Sequence, residues 1–212
     1  MSYFKDSLSQ VSAISGVHLE PCLDSLYIQQ KRMHYNEEGI KKTWDIINSL
    51  DSVAILLYEL QTDCYIIVRQ FRPAIYARNL NHQQELDGYT YELCAGLVDK
   101  PNKSLEEIAC EEVLEECGYK IEPKNLENIG NFYSATGVSG SLQKIYYAKV
   151  SQDLKVSNGG GIDMERIEIL HLKRVKALDF IMDFQYPKTT GLSYAILWHL
   201  KQFDMTCKSK DF

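Results

Sequence analysis

The stretch from Ala95 to Tyr119 constrains this chain more than any other. Ala95-Gly96-Leu97-Val98-Asp99 reads as the end of a strand, a turn follows, and Ser104 opens a run with helical spacing. Ser104 and Glu107 form a capping box, and Gly118 supplies the left-handed residue that ends a helix, so the spacing predicts a helix over Leu105–Cys117. At about 100° per residue, Ala109, Cys110, Val113, Leu114 and Cys117 make one apolar arc, with Glu112, Glu115 and Glu116 together on the neighbouring face.

Such a helix is short of positive charge. Glu107/Glu111, Glu111/Glu115 and Glu112/Glu116 are like-charged pairs four apart, each costing roughly 0.2–0.5 kcal/mol. No Lys or Arg lies between Ser104 and Tyr119, and Glu115 and Glu116 fall in the last turn, where the macrodipole disfavours negative charge. A solvated acidic face is the plain reading on charge alone. The end-of-helix placement and the preceding Ala-Gly turn favour instead a hard divalent cation, since Mg²⁺ takes oxygen ligands from a few carboxylates together with substrate phosphate.

The rest of the chain supplies alternating strands. Met1–Gly16 is polar and weakly patterned and reads as a mobile leader. Leu26–Tyr35, the turn Asn36–Gly39 and Ile40–Ile47 read as a hairpin ahead of the main fold. Asp51–Tyr58 and Cys64–Gln70 are apolar runs of central-strand type. Tyr76–Tyr89, with Asn79, Asn81, His82, Gln83, Gln84, Asp87 and Gly88, is expected as an exposed excursion. Asn128–Ser134 and Gln143–Val150 read as strands, Ser157–Gly161 as a flexible connection that must move, Ile167–Leu172 as a strand, and Arg174–Met182 and Thr190–Phe203 as helices.

Gly96 and Glu111-Glu112-Val113-Leu114-Glu115-Glu116-Cys117-Gly118-Tyr119 resemble the signature of the Nudix hydrolases, G-x5-E-x7-R-E-U-x-E-E-x-G-U, U being bulky and apolar. The loop is one residue longer than the pattern, Lys103 stands at its first Glu, and Glu111 replaces its Arg. Reversing the charge at Glu111 is therefore expected to stabilise the helix. Tyr91–Asp99 and Val68-Arg69-Gln70-Phe71-Arg72-Pro73 are similar to the nucleoside diphosphate sugar branch, the UDP-sugar (UDP-glucose) pyrophosphatases first and the ADP-ribose pyrophosphatases next.

The resemblance implies an α/β/α sandwich with a mixed sheet, here carrying an N-terminal β-hairpin extension, with residues 1–48 as a dimerisation extension and 49–212 as the hydrolase domain. It implies metal held by Glu112, Glu115, Glu116 and the Ala95 carbonyl, Mg²⁺ first and Mn²⁺ as substitute. Glu165, and behind it Asp163, is implied as the acid that handles the attacking water's proton. Arg72 is suited to hold a diphosphate, with Arg69 ranked behind it, the plain alternative for either being a strand-end salt bridge. Trp44 is implied to stack on the base, although a lone Trp is more often core. The expected reaction is UDP-glucose to UMP and glucose 1-phosphate by a homodimer. ADP-ribose hydrolysis and a catalytically silent nucleotide-binding protein remain the alternatives, the silent one favoured by Glu111 in place of Arg.

Composition narrows the classes. A net charge of −6 over 212 residues argues against a nucleic-acid partner, which needs a basic footprint. The 6 cysteines are scattered with no C-x-x-C pair, the start shows no signal-peptide run, and no apolar stretch approaches a membrane span, which together point to a cytoplasmic protein with free thiols. The 5 histidines lack metal spacing, and Ser139 and Ser141 lack a G-x-S-x-G elbow, so none is assigned a catalytic role.

Overall fold

In the computed structural model, which describes residues 2–25, 27–82 and 87–208 (203–208 by backbone only), strands β3 (Ser52–Glu59) and β4 (Cys64–Phe71) lie at the centre. Their apolar runs are continuous because both faces are covered. Val53, Ile55, Leu57, Ile66 and Val68 face one layer, while Ala54, Leu56, Tyr65 and Ile67 face the other. Strands β5 (Tyr89–Glu92), β6 (Cys94–Leu97), β7 (Glu127–Tyr133), β8 (Leu142–Val150) and β9 (Ile167–Lys173) complete the sheet. Its order is β5-β4-β3-β8-β7, with β6 paired to the start of β3 and β9 along β4. The β3–β8 pair is parallel and the others antiparallel, so the sheet is mixed as expected.

Helix α2 (Leu105–Cys117) covers the Val53 face through Ile108, Ala109 and Val113. Helices α3 (Arg174–Met182) and α4 (Thr190–Lys208) cover the other through Ala177, Phe180, Leu192 and Ile196. The α/β/α layering follows from this, and α4 runs past its expected end at Phe203.

Strands β1 (Gln29–Glu37) and β2 (Ile40–Asn48) form a separate two-stranded sheet. Glu38 and Gly39 sit at φ 51° and 81°, the left-handed pair of a two-residue hairpin turn. The hairpin meets the body at the loop before β8: Ile47 N–H donates to the Val138 carbonyl at 2.6 Å, and the Ser49 and Ser139 hydroxyls lie 2.9 Å apart. Leu26, expected to begin the hairpin, lies outside the described residues.

Two expectations are corrected. Helix α1 (Pro73–Asn81) occupies the start of the supposed excursion, with Pro73 at its first turn and Asn79 buried. Its polar composition hid it; Gln83 and Gln84 lie outside the described residues. The supposed leader is anchored: Lys5 N–H donates to the His171 carbonyl and Lys173 N–H to the Tyr3 carbonyl, extending the sheet past β9. Phe4 is buried in the core, stacked on Tyr91 at 5.7 Å and edge-on to Phe180 at 5.3 Å. One buried aromatic in a polar segment leaves no periodicity to read.

Candidate active site

Helix α2 begins and ends as its sequence dictates. The Ser104 Oγ accepts from Glu107 N–H at 3.2 Å, Glu107 Oε2 accepts from Ser104 N–H at 2.7 Å, and Gly118 closes the helix at φ 77°. The buried arc is rolled from the expected one. Ala109, Val113 and Cys117 are inside as expected, but Leu114 is exposed and Ile108 and Glu116 are buried. The rotation carries the Glu116 carboxylate beneath β6, where Oε2 accepts from Ala95 N–H at 3.0 Å.

Gly96, the next residue on β6, makes room for a second carboxylate. A Cβ there would stand 2.0 Å from the Glu112 Cδ, so only glycine lets that side chain lie against the strand. Burial pushes the Glu112 carboxyl up to about 7, with Glu115 adding to the effect and Lys100 opposing it. Burial likewise pushes Glu116 up to about 7 against the pull of the Ala95 N–H and the Cys94 thiol. Two carboxyls held that high are short of a cation.

Glu111, which sequence left unanswered, is not short of one. Lys100 Nζ donates to its Oε2 at 2.9 Å and Lys103 Nζ pairs with Oε1, both from the turn before the helix. These lysines hold the Glu111 carboxyl below its ordinary range. The premise for a gain on charge reversal at Glu111 is therefore removed: the residue has cationic partners, and they come from outside the helix.

The glycine run after β8 docks on the end of α2. Gly160 N–H donates to the Glu116 carbonyl at 2.8 Å and Gly161 N–H to the Glu115 carbonyl at 3.2 Å, satisfying carbonyls that a helix end leaves open. A Cβ on Gly159 would stand 2.4 Å from the Glu116 carbonyl oxygen. What reads in sequence as a flexible connection is here a close backbone contact, and it fixes the following loop relative to the acidic helix. That loop carries Glu165, whose Oε2 accepts from Ile162 N–H at 3.2 Å.

A cavity of about 400 Å³ is lined by Arg72, Ala95, Glu112, Glu115, Glu116 and Glu165. Asp163 and Trp44 are not brought to it. Asp163 is exposed at φ 53° in the loop, and Trp44, 54% exposed, donates from Nε1 to the Gly137 carbonyl at 2.8 Å beside a different cavity. Arg72 makes the salt bridge of its plain reading, Nε and Nη2 gripping Glu92 at 2.8 and 2.6 Å, and its side chain also lines the cavity. Arg69 points elsewhere, paired with Glu168 at 2.8 Å. Gln70, Asp99 and Lys100 also line the cavity. The signal for Gln70 was its place two residues before Arg72 at the end of an apolar run, and for Asp99 and Lys100 their place shortly after Gly96.

Among the described residues no three Asp, Glu, His or Cys side chains stand gathered as a finished metal shell. The donor chemistry nevertheless fits a hard divalent ion: the candidate donors are all oxygen, from three carboxylates and a carbonyl, and two of the carboxyls are starved of positive charge.

No family model matches the chain. It is 38% identical over 207 aligned positions to the uridine diphosphate glucose pyrophosphatase NUDT14 of Bos taurus, covering 87% of this chain and 93% of that protein. The Mus musculus protein of the same name is 37% identical over 211 positions, covering 89% and 95%. A GDP-mannose pyrophosphatase of Klebsiella pneumoniae is 34% identical over 154 positions, covering 67% and 73%. In fold the chain is similar to a solved ADP compounds hydrolase, at TM-score 0.63 and 16% identity over 87% of this chain and 90% of that one.

Proposed function

The chain belongs to the Nudix hydrolases, and from that premise we propose that it cleaves the diphosphate of a nucleoside diphosphate sugar, converting UDP-glucose and water to UMP and glucose 1-phosphate. The observation that carries this reading is one cavity lined by Arg72, Ala95, Glu112, Glu115, Glu116 and Glu165, in a chain 37–38% identical along most of its length to two UDP-glucose pyrophosphatases.

Family membership implies a divalent metal, and Mg²⁺, with Mn²⁺ as substitute, is the ion assigned here. Glu112, Glu115, Glu116 and the Ala95 carbonyl would hold it. When bound, the metal supplies positive charge against the diphosphate and against the attacking water. Arg72 orients the substrate: Nε and Nη2 are committed to Glu92, which fixes the guanidinium plane and leaves Nη1 for a diphosphate oxygen. Glu165 takes the proton as the water oxygen bonds to phosphorus and the bridging P–O bond breaks. Asp163 is left as a secondary candidate, since it stands off the cavity.

The reading extends to assembly and setting. Residues 1–48 are assigned to a dimer contact through the exposed hairpin and 49–212 to the hydrolase domain, with Trp44 reaching nucleotide only across that contact. Cys22, Cys64, Cys94, Cys110 and Cys117 are free thiols, and among the described residues no helix is long and apolar enough to cross a membrane; a cytoplasmic setting accords with both. Phosphatase-coupled phosphate release in Mg²⁺ from UDP-glucose, GDP-mannose and ADP-ribose tests the reading. Turnover led by UDP-glucose is expected, and no turnover of any of the three would leave a silent nucleotide-binding protein in its place.

A further inference from the structure

A second cavity, of about 370 Å³, shares Glu165 with the first. It is lined by the strand pair β4–β9, Tyr89 and the N-terminal segment; Gln70 and Arg69, consecutive on β4, line one cavity each, so the two open on opposite faces of the sheet with Glu165 common to both. Arg69 forms its floor, buried and tied to Glu168 at 2.8 Å, with its guanidinium carbon 4.8 Å from the centre of the Tyr89 ring. The N-terminal segment forms the roof: Arg69 Nη1 donates to the Ser9 carbonyl at 3.2 Å, and Ser12 N–H donates to the Tyr89 hydroxyl at 3.3 Å. Arg166 also lines it, exposed and with no ion pair among the described residues.

Resting on the proposed reaction, we infer that this second cavity receives the glycosyl group of the substrate, with Arg166 as its free hydrogen-bonding arm. Glu165 lines both cavities, so a group attached to a diphosphate in the first reaches the second by passing that side chain where β9 begins. The lining suits a sugar and not a base. A base needs an open aromatic face, and the Tyr89 ring is already packed by the Arg69 guanidinium and by Phe71, whose ring centre is 5.8 Å away. A hexose presents adjacent hydroxyls that both donate and accept. Glu168 and the serines of the roof accept, while the forked guanidinium of Arg166 donates to two neighbouring oxygens.

Arg166 is surface-exposed, so Arg166→Ala is expected to fold. Its product inhibition by glucose 1-phosphate should weaken by at least ~10-fold, the scale of a lost charge-assisted bond, while inhibition by UMP stays as in wild type. The ratio of kcat/KM for UDP-glucose over that for the β-phosphate methyl ester of UDP, which has no glycosyl group there, should fall by a similar factor, and Arg166→Lys should recover part of it. Equal losses on both substrates, or weakened UMP inhibition instead, would overturn the assignment of the cavity to the sugar. Failure of the wild-type protein to turn over either substrate would overturn the underlying reaction, which separates the two outcomes.

Discussion

The backbone N–H of Ala95 donates to the buried carboxylate of Glu116 at 3.0 Å, joining strand β6 to the acidic helix at the point where the candidate metal donors meet. Ala95 thus lines the cavity while its N–H steadies a carboxylate beside it. Glu116→Gln keeps an oxygen that can accept the same N–H, so the fold should persist. Burying a neutral amide in place of a carboxyl pushed up to about 7 should leave the Tm of metal-free protein equal or higher. In saturating Mg²⁺, kcat should drop by at least about 10²-fold, the scale seen when one preorganised active-site group is removed. Near-wild-type turnover would show that Glu116 is no part of the site.

Glu111→Arg is expected to lower the Tm by a few degrees. It replaces the acceptor of Lys100 and Lys103 with a third positive charge. All three groups are about one-third exposed or more, so screening limits the loss to about 0.2–1 kcal/mol per pair. The drop should shrink in high salt. A Tm raised by the substitution would show that the helix acids, and not the two lysines, dominate the charge balance there.

What the sequence disclosed and what it withheld divide along a physical line. The limits of α2 were legible because Ser104 and Gly118 act locally, and β3 and β4 because strands buried on both faces need unbroken apolar runs. The roll of α2 was not: its apolar pattern favours Leu114 inside, and only the packing of β6 and Gly96 against the helix decides that Glu116 is buried instead. Phe4, the Lys100 and Lys103 partners of Glu111, and the docked glycine run are all contacts between segments distant in the fold's logic, and no periodicity records them. Within the candidate site, Glu112, Glu115, Glu116, Glu165 and Arg72 share the cavity, whereas Trp44 and Asp163 stand away from it.

Deleting residues 1–48 is the test of the hairpin that the sequence suggests, but it would also pull Phe4 from the core. A single substitution is cleaner. Met33 and Trp44 are paired across the hairpin, and both are about half exposed, an apolar pair on a two-stranded sheet too small to be stable alone. Met33→Glu should convert a dimer to monomer by light scattering, leave the Tm of the main domain unchanged, and raise KM for UDP-glucose. A wild-type monomer, or a variant that remains dimeric, would remove the hairpin from any assembly role.

His199 on α4 sets a pH dependence of stability that is independent of the active site. Its ring is buried between two hydroxyls, with Tyr65 Oη 2.8 Å from Nδ1 and Tyr147 Oη 2.9 Å from Nε2. Burial, together with the charges of Lys149 and Arg174, pushes it down to about 4 from an ordinary 6.5. Between those values the unfolded chain binds a proton that the folded chain refuses. The neutral ring's contribution is therefore complete above about pH 6.5 and is lost as pH falls toward 4, a loss of about 3 kcal/mol when complete. Glu112 and Glu116 act in the opposite sense in metal-free protein, because carboxyls raised to about 7 favour the folded chain as pH falls. The measurement is accordingly a difference: the Tm of wild type minus that of His199→Gln, which keeps a side chain able to bond both tyrosines, should decrease steadily from pH 7 to pH 4. A difference that stays flat across that range would mean that the imidazole titrates in the folded protein as it does in water.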